Sequence, residues 1–213
     1  MSRYPKKKRC IEQAEPNQKS AQEAVRQGYD RLGIADYYES HSATYRNPHE
    51  AALQKLLVGW LQSRNLATSS KIIDLACGSG EVTSLLQKQG FRNISGIDPF
   101  TFEAYQSRTG MVAERHSFED IADGLVFRQE TAILPYDLII CSFAMHLCAP
   151  SRLPLLCLEL SRASRELVIF TPHKRPLIHE KWGWRLLEER LQERVRLRSY
   201  QSLRFVPTDS GSG

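Results

Sequence analysis

Two glycines flank a serine at Gly78-Ser79-Gly80, four residues after Asp74 and 20 residues before Asp98 at Gly78. Without Cβ atoms, Gly78 and Gly80 let a ligand approach the main chain closely. The segment that follows, Glu81 to Gln89, has helical spacing, so its first turn offers free N–H groups and a positive dipole end. Asp98 closes a short apolar run, Asn93-Ile94-Ser95-Gly96-Ile97, at the distance where an acid meets ribose hydroxyls in open α/β sheets. A dinucleotide or another adenosine-containing cofactor would satisfy these residues. Two details separate the two. A dinucleotide fingerprint needs a third glycine where Thr83 stands, and Asp74 would repel a pyrophosphate but attract a cationic cofactor bearing an amino group. Main-chain groups of Ala76, Cys77 and Ser79 belong to the same turn and join the expected cofactor contacts.

These residues need strands and helices in alternation. Lys71-Ile72-Ile73-Asp74-Leu75 reads as a first strand and residues 93–98 as a second. Met111 to Glu114 reads as a third, Tyr136 to Ser142 as a fourth and Glu166 to Thr171 as a fifth. Arg194 to Phe205 alternates as a sixth. Helices are expected over 81–89, over 151–164 and, as a long charged element, over 177–194. A further helix has Asn47 as cap, Pro48 at its first position and an apolar stripe at Leu53, Leu56, Leu57, Trp60 and Leu61. The expected fold class is α/β: a doubly wound, mostly parallel sheet with helices on both faces. It would be shortened at its C-terminal edge. One domain is expected over 29–206, with a basic, mobile segment at 1–28 and a polar tail at 207–213.

The composition excludes several classes. With 41% hydrophobic and 25% charged residues the chain is not disordered as a whole, and no apolar run reaches the ~20 residues of a membrane span. No membrane partner is expected. The five cysteines form no C-x-x-C pair, and the six histidines show no metal-ligand spacing, so no metal is expected. A reduced, cytoplasmic protein follows, with Lys6-Lys7-Lys8-Arg9 leaving a nuclear address open. The net charge of +5 is uneven: residues 1–31 carry +4, residues 174–204 carry +5, and the remainder carries −4. Basic flanks attract polyanions, and equally they form solvated faces.

The stretch Asp74-Leu75-Ala76-Cys77-Gly78-Ser79-Gly80-Glu81 resembles motif I of the class I S-adenosylmethionine-dependent methyltransferases. Gly96-Ile97-Asp98 is similar to their second motif, residues 136–147 to their fourth-strand motif, and Leu167 to Pro172 to their fifth strand. The resemblance spans roughly residues 36–205, with Ala76 standing where the family usually has a glycine. It implies S-adenosyl-L-methionine as cofactor and a seventh strand, where six are counted here. It implies that Ser117 and Phe118 hold the adenine by a main-chain N–H and an apolar wall, and that Cys141 lines the pocket by its backbone rather than acting as a nucleophile. It also implies that Tyr38, Tyr45 and Arg46 close over the cofactor. His146, just after the fourth strand, becomes the candidate general base.

The acceptor is less constrained. Cys141-Ser142-Phe143-Ala144 lacks the Asn/Asp-Pro-Pro-aromatic turn of base-amino methyltransferases and the Pro-Cys nucleophile of cytosine-C5 enzymes. Clustered acids for a metal-dependent catechol-type site are missing too. A small-molecule acceptor is favoured, because no aromatic platform interleaves with the basic residues as single-strand binding requires. RNA, steered by Lys174, Arg175, Lys181 and Arg185, a protein acceptor, or non-catalytic cofactor binding are the alternatives.

Overall fold

The computed structural model describes residues 49–127 and 135–206. The expected segments at 1–28 and 207–213, the basic run at 6–9, Tyr38, Tyr45, Arg46 and the cap at Asn47-Pro48 lie outside the described residues. The first described helix, α1, spans Glu50–Gln62, with His49 at its cap position.

The chain then alternates: β1 Ile72–Leu75, α2 Glu81–Lys88, β2 Ile94–Ile97, α3 Phe102–Thr109, β3 Ala113–Glu114, α4 Phe118–Ala122, β4 Tyr136–Ser142, α5 Leu153–Ala163 and β5 Ser164–Thr171. A hairpin of β6, Trp184–Gln192, and β7, Val195–Ser202, follows. All strands join one seven-stranded sheet in the order β3-β2-β1-β4-β5-β7-β6. Strands β3 through β5 are mutually parallel, and β7 runs antiparallel to both neighbours. The order reverses between β1 and β4, so the carboxyl ends of those two strands face the crevice where such sheets bind ligands.

Successive side chains on a strand point to opposite faces. Ile72, Leu138, Ile140, Val168 and Phe170 therefore pack with α1 and α2, through Leu53, Leu57, Trp60, Val82 and Leu86. Ile73, Ile139, Leu167 and Ile169 pack with α4 and α5, through Ile121, Leu156 and Leu160. Burial on both faces explains why the central strands read as unbroken apolar runs.

The helix expected over 177–194 is not formed, and this corrects both the strand count and the shortened edge. Residues Glu180–Trp182 make a single 3₁₀ turn, and Trp184–Gln192 is a strand. Its Leu, Glu and Arg residues favour helix intrinsically, but β7 offers eight paired positions. The strand lies on the sheet edge, with Leu186, Leu187 and Leu191 exposed, so no strict alternation marks it. The hairpin turn is Glu193-Arg194, both at positive φ (48° and 68°). Two-residue turns with two positive φ values normally carry Asn or Gly, so the turn left no mark in the sequence.

A close approach on β2 fixes the position of α3. A Cβ on Gly96 would lie 2.5 Å from Cζ of Tyr105, which is fully buried. Gly96→Ala should lower unfolding free energy by about 1–3 kcal/mol, the usual cost of overpacking, measured by urea denaturation.

Candidate functional site

The glycine turn leaves β1 through alternating left-handed residues: Ala76 at φ 53°, Gly78 at 56° and Gly80 at 86°. The N–H of Gly80 closes the turn on the Cys77 carbonyl at 2.9 Å. The two glycines serve different ends. Among the described residues a Cβ on Gly78 would meet only Oε2 of Glu81, at 3.8 Å, so no described residue fills the space above it. A Cβ on Gly80 would run into Tyr105 and Thr109 of α3. Gly80 is thus a packing glycine, while Gly78 has room above it among the described residues. Ala76 holds a conformation that costs an L-residue roughly 1–2 kcal/mol, which accounts for glycine being usual there.

Asp98, just past β2, ties the crevice together. Its Oδ2 accepts the Gly78 N–H at 3.1 Å, and its Oδ1 accepts the N–H groups of Phe100 at 2.8 Å and Thr101 at 3.0 Å. Thr101 Oγ1 donates to the Gly78 carbonyl at 2.8 Å. A carboxylate has about four acceptor directions. Among the described residues three are used, and the remaining one belongs to Oδ2, beside the space over Gly78.

Asp74 is fully buried at the end of β1. Its Oδ2 accepts both the N–H (3.1 Å) and the hydroxyl (2.8 Å) of Thr83, and the Thr83 hydroxyl also meets the Tyr105 hydroxyl at 3.0 Å. The third residue of α2 would otherwise leave its N–H orphaned. Asp74 therefore caps α2 from the neighbouring strand, and Thr83 stands where a dinucleotide site would need glycine. Oδ1 of Asp74 has no partner among the described residues. Burial pushes this carboxyl up to about 8, against the opposing hydrogen bonds from Thr83.

The other cofactor candidates fall around the same crevice. Ser79 Oγ donates to Glu81 at 2.7 Å, and Glu81 pairs with Arg108 at 3.2 Å. Arg108 also pairs with Glu50, which ties the start of α1 beside the turn. Glu81 and Arg108 were not singled out from the sequence, where their distance apart hides the pairing. The Cys77 and Cys141 thiols are buried, and burial raises both well above the ordinary thiol range. Cys141 lies beside Leu75 in the β1–β4 register, so its backbone borders the turn. Ser117 caps α4 in a capping box: its Oγ accepts the Asp120 N–H at 3.1 Å, and its own N–H donates to Asp120 at 2.8 Å. That N–H is already engaged, while half-buried Phe118 packs against the core cluster that Ala76 also touches.

Beyond β4 the chain turns sharply at Phe143, which has φ 57° and donates its N–H to the Phe170 carbonyl at 2.8 Å. An aromatic residue there marks stored strain, and such strain concentrates at functional sites. His49 stacks on the Phe143 ring at 5.5 Å. Burial, with Arg194 and His173 nearby, lowers the His49 pKa from its ordinary value. His146, in the 3₁₀ turn Met145–Leu147, meets His173 edge to face at 4.6 Å. His173 is one of the six histidines whose spacing showed no metal-ligand pattern. Its one signal was its place just after β5, next to the strand that carries His146.

The four basic residues grouped above do not border one opening. Lys174 and Arg175 follow the carboxyl end of β5, whereas Lys181 and Arg185 flank the start of β6, at the opposite end of the sheet. Arg185 is moreover paired with Glu180 at 3.0 Å. Among the described residues no group of His, Cys, Asp or Glu could hold a metal ion, and no helix is long and apolar enough to cross a membrane.

Sheet order, antiparallel β7 and a glycine turn at the crevice define a Rossmann-like class I methyltransferase fold. Residues 45–203 match the family described as a methyltransferase domain, and the chain belongs to that family of S-adenosylmethionine-dependent enzymes. An uncharacterized protein of Schizosaccharomyces pombe is 33% identical, with 78% of this chain and 81% of that one covered. Among solved structures, the chain resembles an O-methyltransferase family protein from Burkholderia thailandensis with a TM-score of 0.57, 14% identity and coverage of 87% and 71%. It also resembles magnesium protoporphyrin IX methyltransferase from Synechocystis with bound S-adenosylmethionine, at a TM-score of 0.55, 15% identity and coverage of 90% and 100%.

The residues present fit that cofactor. The open space over Gly78, the spare acceptor direction of Asp98 and the orphaned Oδ1 of Asp74 suit a nucleoside with a cationic tail. The raised carboxyl of Asp74 also bears on stability. A carboxyl whose folded pKa lies above its unfolded value of 3.8 binds more protons folded than unfolded, so stability falls as pH rises from about 4 to about 8. Asp74→Asn keeps an acceptor for Thr83 and removes that charge. At pH 8 it should gain roughly 1–3 kcal/mol in the apo protein, read as a higher Tm, with no advantage at pH 4.

Proposed function

We propose that this methyltransferase carries a methyl group from S-adenosylmethionine to a small-molecule acceptor at the carboxyl ends of β4 and β5, with His146 as the general base. The observation that carries the reading is the edge-to-face His146–His173 pair beside the strained Phe143, one strand from the glycine turn. When bound, the cofactor supplies a methyl already activated on a sulfonium, so the protein's task is alignment and exclusion of water. Gly78 and Asp98 hold the nucleoside. Phe143 and His49 form an aromatic wall next to the acceptor. As the acceptor's nucleophilic atom takes the methyl from the sulfonium, which leaves as the neutral thioether, its proton passes to His146, which is exposed to solvent. The lowered pKa of His49 keeps that ring neutral at pH 7, so it contributes a surface rather than a charge. The separation of Lys174 and Arg175 from Lys181 and Arg185 supports a small acceptor over a long polyanion.

Label transfer tests this. With methyl-labelled cofactor and separated metabolite and RNA fractions, label should enter the metabolite fraction. His146→Gln should lower turnover about 10²–10⁴-fold, the usual contribution of a general base, with cofactor affinity unchanged. Label in RNA that declines with salt at a log–log slope of roughly −0.7 per phosphate would replace the small-molecule reading.

A further inference from the structure

We infer that Arg198 is a positioning residue for the acceptor-side histidines, acting through the connection between β5 and β6. The inference rests on the proposed role of His146 and His173. Strand β5 ends at Thr171 on the crevice side of the sheet, and β6 begins at Trp184 on the far side, because both pair with β7 in antiparallel register. The chain must therefore travel the length of the sheet in residues 172–183. It does so with no regular structure except the 3₁₀ turn Glu180–Trp182. Main-chain carbonyls in such a segment need donors from elsewhere.

Arg198 supplies them. It lies on β7 opposite Ile169 of β5 and Glu189 of β6, and only 3% of it is exposed. Nη1 donates to the Pro176 carbonyl and Nη2 to the Lys174 carbonyl, both at 2.9 Å, while Nε meets Glu189 at 2.5 Å. Ile178, from the same connection, is buried in one cluster with Tyr200 of β7. A buried guanidinium without its partners would be an uncompensated charge, so connection and arginine hold each other in place. The planar fork reaches two carbonyls and a carboxylate together, which an ammonium on a single stem does not.

His173 is therefore anchored on both sides. Its N–H donates to Thr171 Oγ1 at 3.1 Å, and the next carbonyl along the chain, that of Lys174, is the one Arg198 holds. His146 is anchored separately, through buried Met145 and the Leu147 N–H, which donates to the Ala144 carbonyl at 2.8 Å. The ring contact at 4.6 Å depends on both anchors, and Arg198 controls the His173 side.

The test uses Arg198→Lys in the full chain with S-adenosylhomocysteine bound. This variant keeps the buried charge and loses the fork. Three quantities are read: S-adenosylhomocysteine affinity by calorimetry, the ring-to-ring NOE between His146 and His173, and the response of His173 ring shifts to His146→Gln. The expected result is affinity within twofold of wild type, loss of the NOE, and a His173 ring that no longer responds to His146→Gln. At the same cofactor KM, methyl transfer to the metabolite fraction should fall at least tenfold. If Arg198→Lys does not fold, Glu189→Gln takes its place; it removes the carboxylate that Arg198 shares with Arg196 and should weaken the NOE in the same direction. An unchanged NOE and an unchanged His173 response in the folded variant would overturn the inference. Failure of wild type to bind S-adenosylhomocysteine would instead overturn the functional reading beneath it.

Discussion

The Asp98 carboxylate is the constraint on which the crevice depends. Three main-chain N–H groups, from Gly78, Phe100 and Thr101, converge on it from two separate turns. Hydrogen bonds to a charged acceptor are the stronger kind, and the one from Thr101 is buried. By satisfying them together, Asp98 sets the glycine turn after β1 against the turn after β2. The same arrangement leaves one acceptor direction toward the space above Gly78. That direction has its position because the other three are occupied by main-chain N–H groups.

Asp74 works on the same principle one strand away. It completes the first turn of α2 through Thr83, and Tyr105 extends the network to α3. Tyr105 leaves no room for a side chain at Gly96, and Thr109, with Tyr105 beside it, leaves none at Gly80, so both glycines serve the packing of α3. An Asp74 oxygen fully buried without a partner among the described residues carries a cost. That cost is an incentive for a cationic partner nearby, which links the stability of the empty fold to the chemistry of its cofactor.

Much of this was legible in the sequence because it is local. The strand, glycine turn and helix of residues 71–89, the acid at Asp98 and the strands at 136–142 and 166–171 each declare themselves by periodicity or turn residues. What stayed hidden depends on tertiary pairing. Strand β6 carries helix-favouring residues on an exposed edge and turns at Glu193-Arg194, so neither pattern nor turn chemistry gives it away. The four basic residues looked contiguous only because a helix was expected there. His173 and Arg198 acquire meaning only once β5, β6 and β7 are side by side, and nothing local relates an arginine on β7 to carbonyls 22 and 24 positions earlier. Thr83 was read as a missing glycine, whereas its hydroxyl is a working part of the turn.

In the proposed function the space above Gly78 and beside Asp98 holds the nucleoside of S-adenosylmethionine. Main-chain amide shifts measured during titration with S-adenosylhomocysteine test it most directly, with NAD as the comparison and Asp98→Asn as the altered protein. The account predicts saturable shifts at Gly78, Ser79 and Thr101 with S-adenosylhomocysteine and none with NAD. In Asp98→Asn, which places a donor where the spare acceptor was, affinity should be weakened roughly 10–100-fold, the scale of one charge-assisted hydrogen bond. At the opposite end of the sheet, Arg64, Asp137 and Arg165 line a cleft of about 370 Å³. Shifts centred there, or equal affinity in Asp98→Asn, would contradict the account.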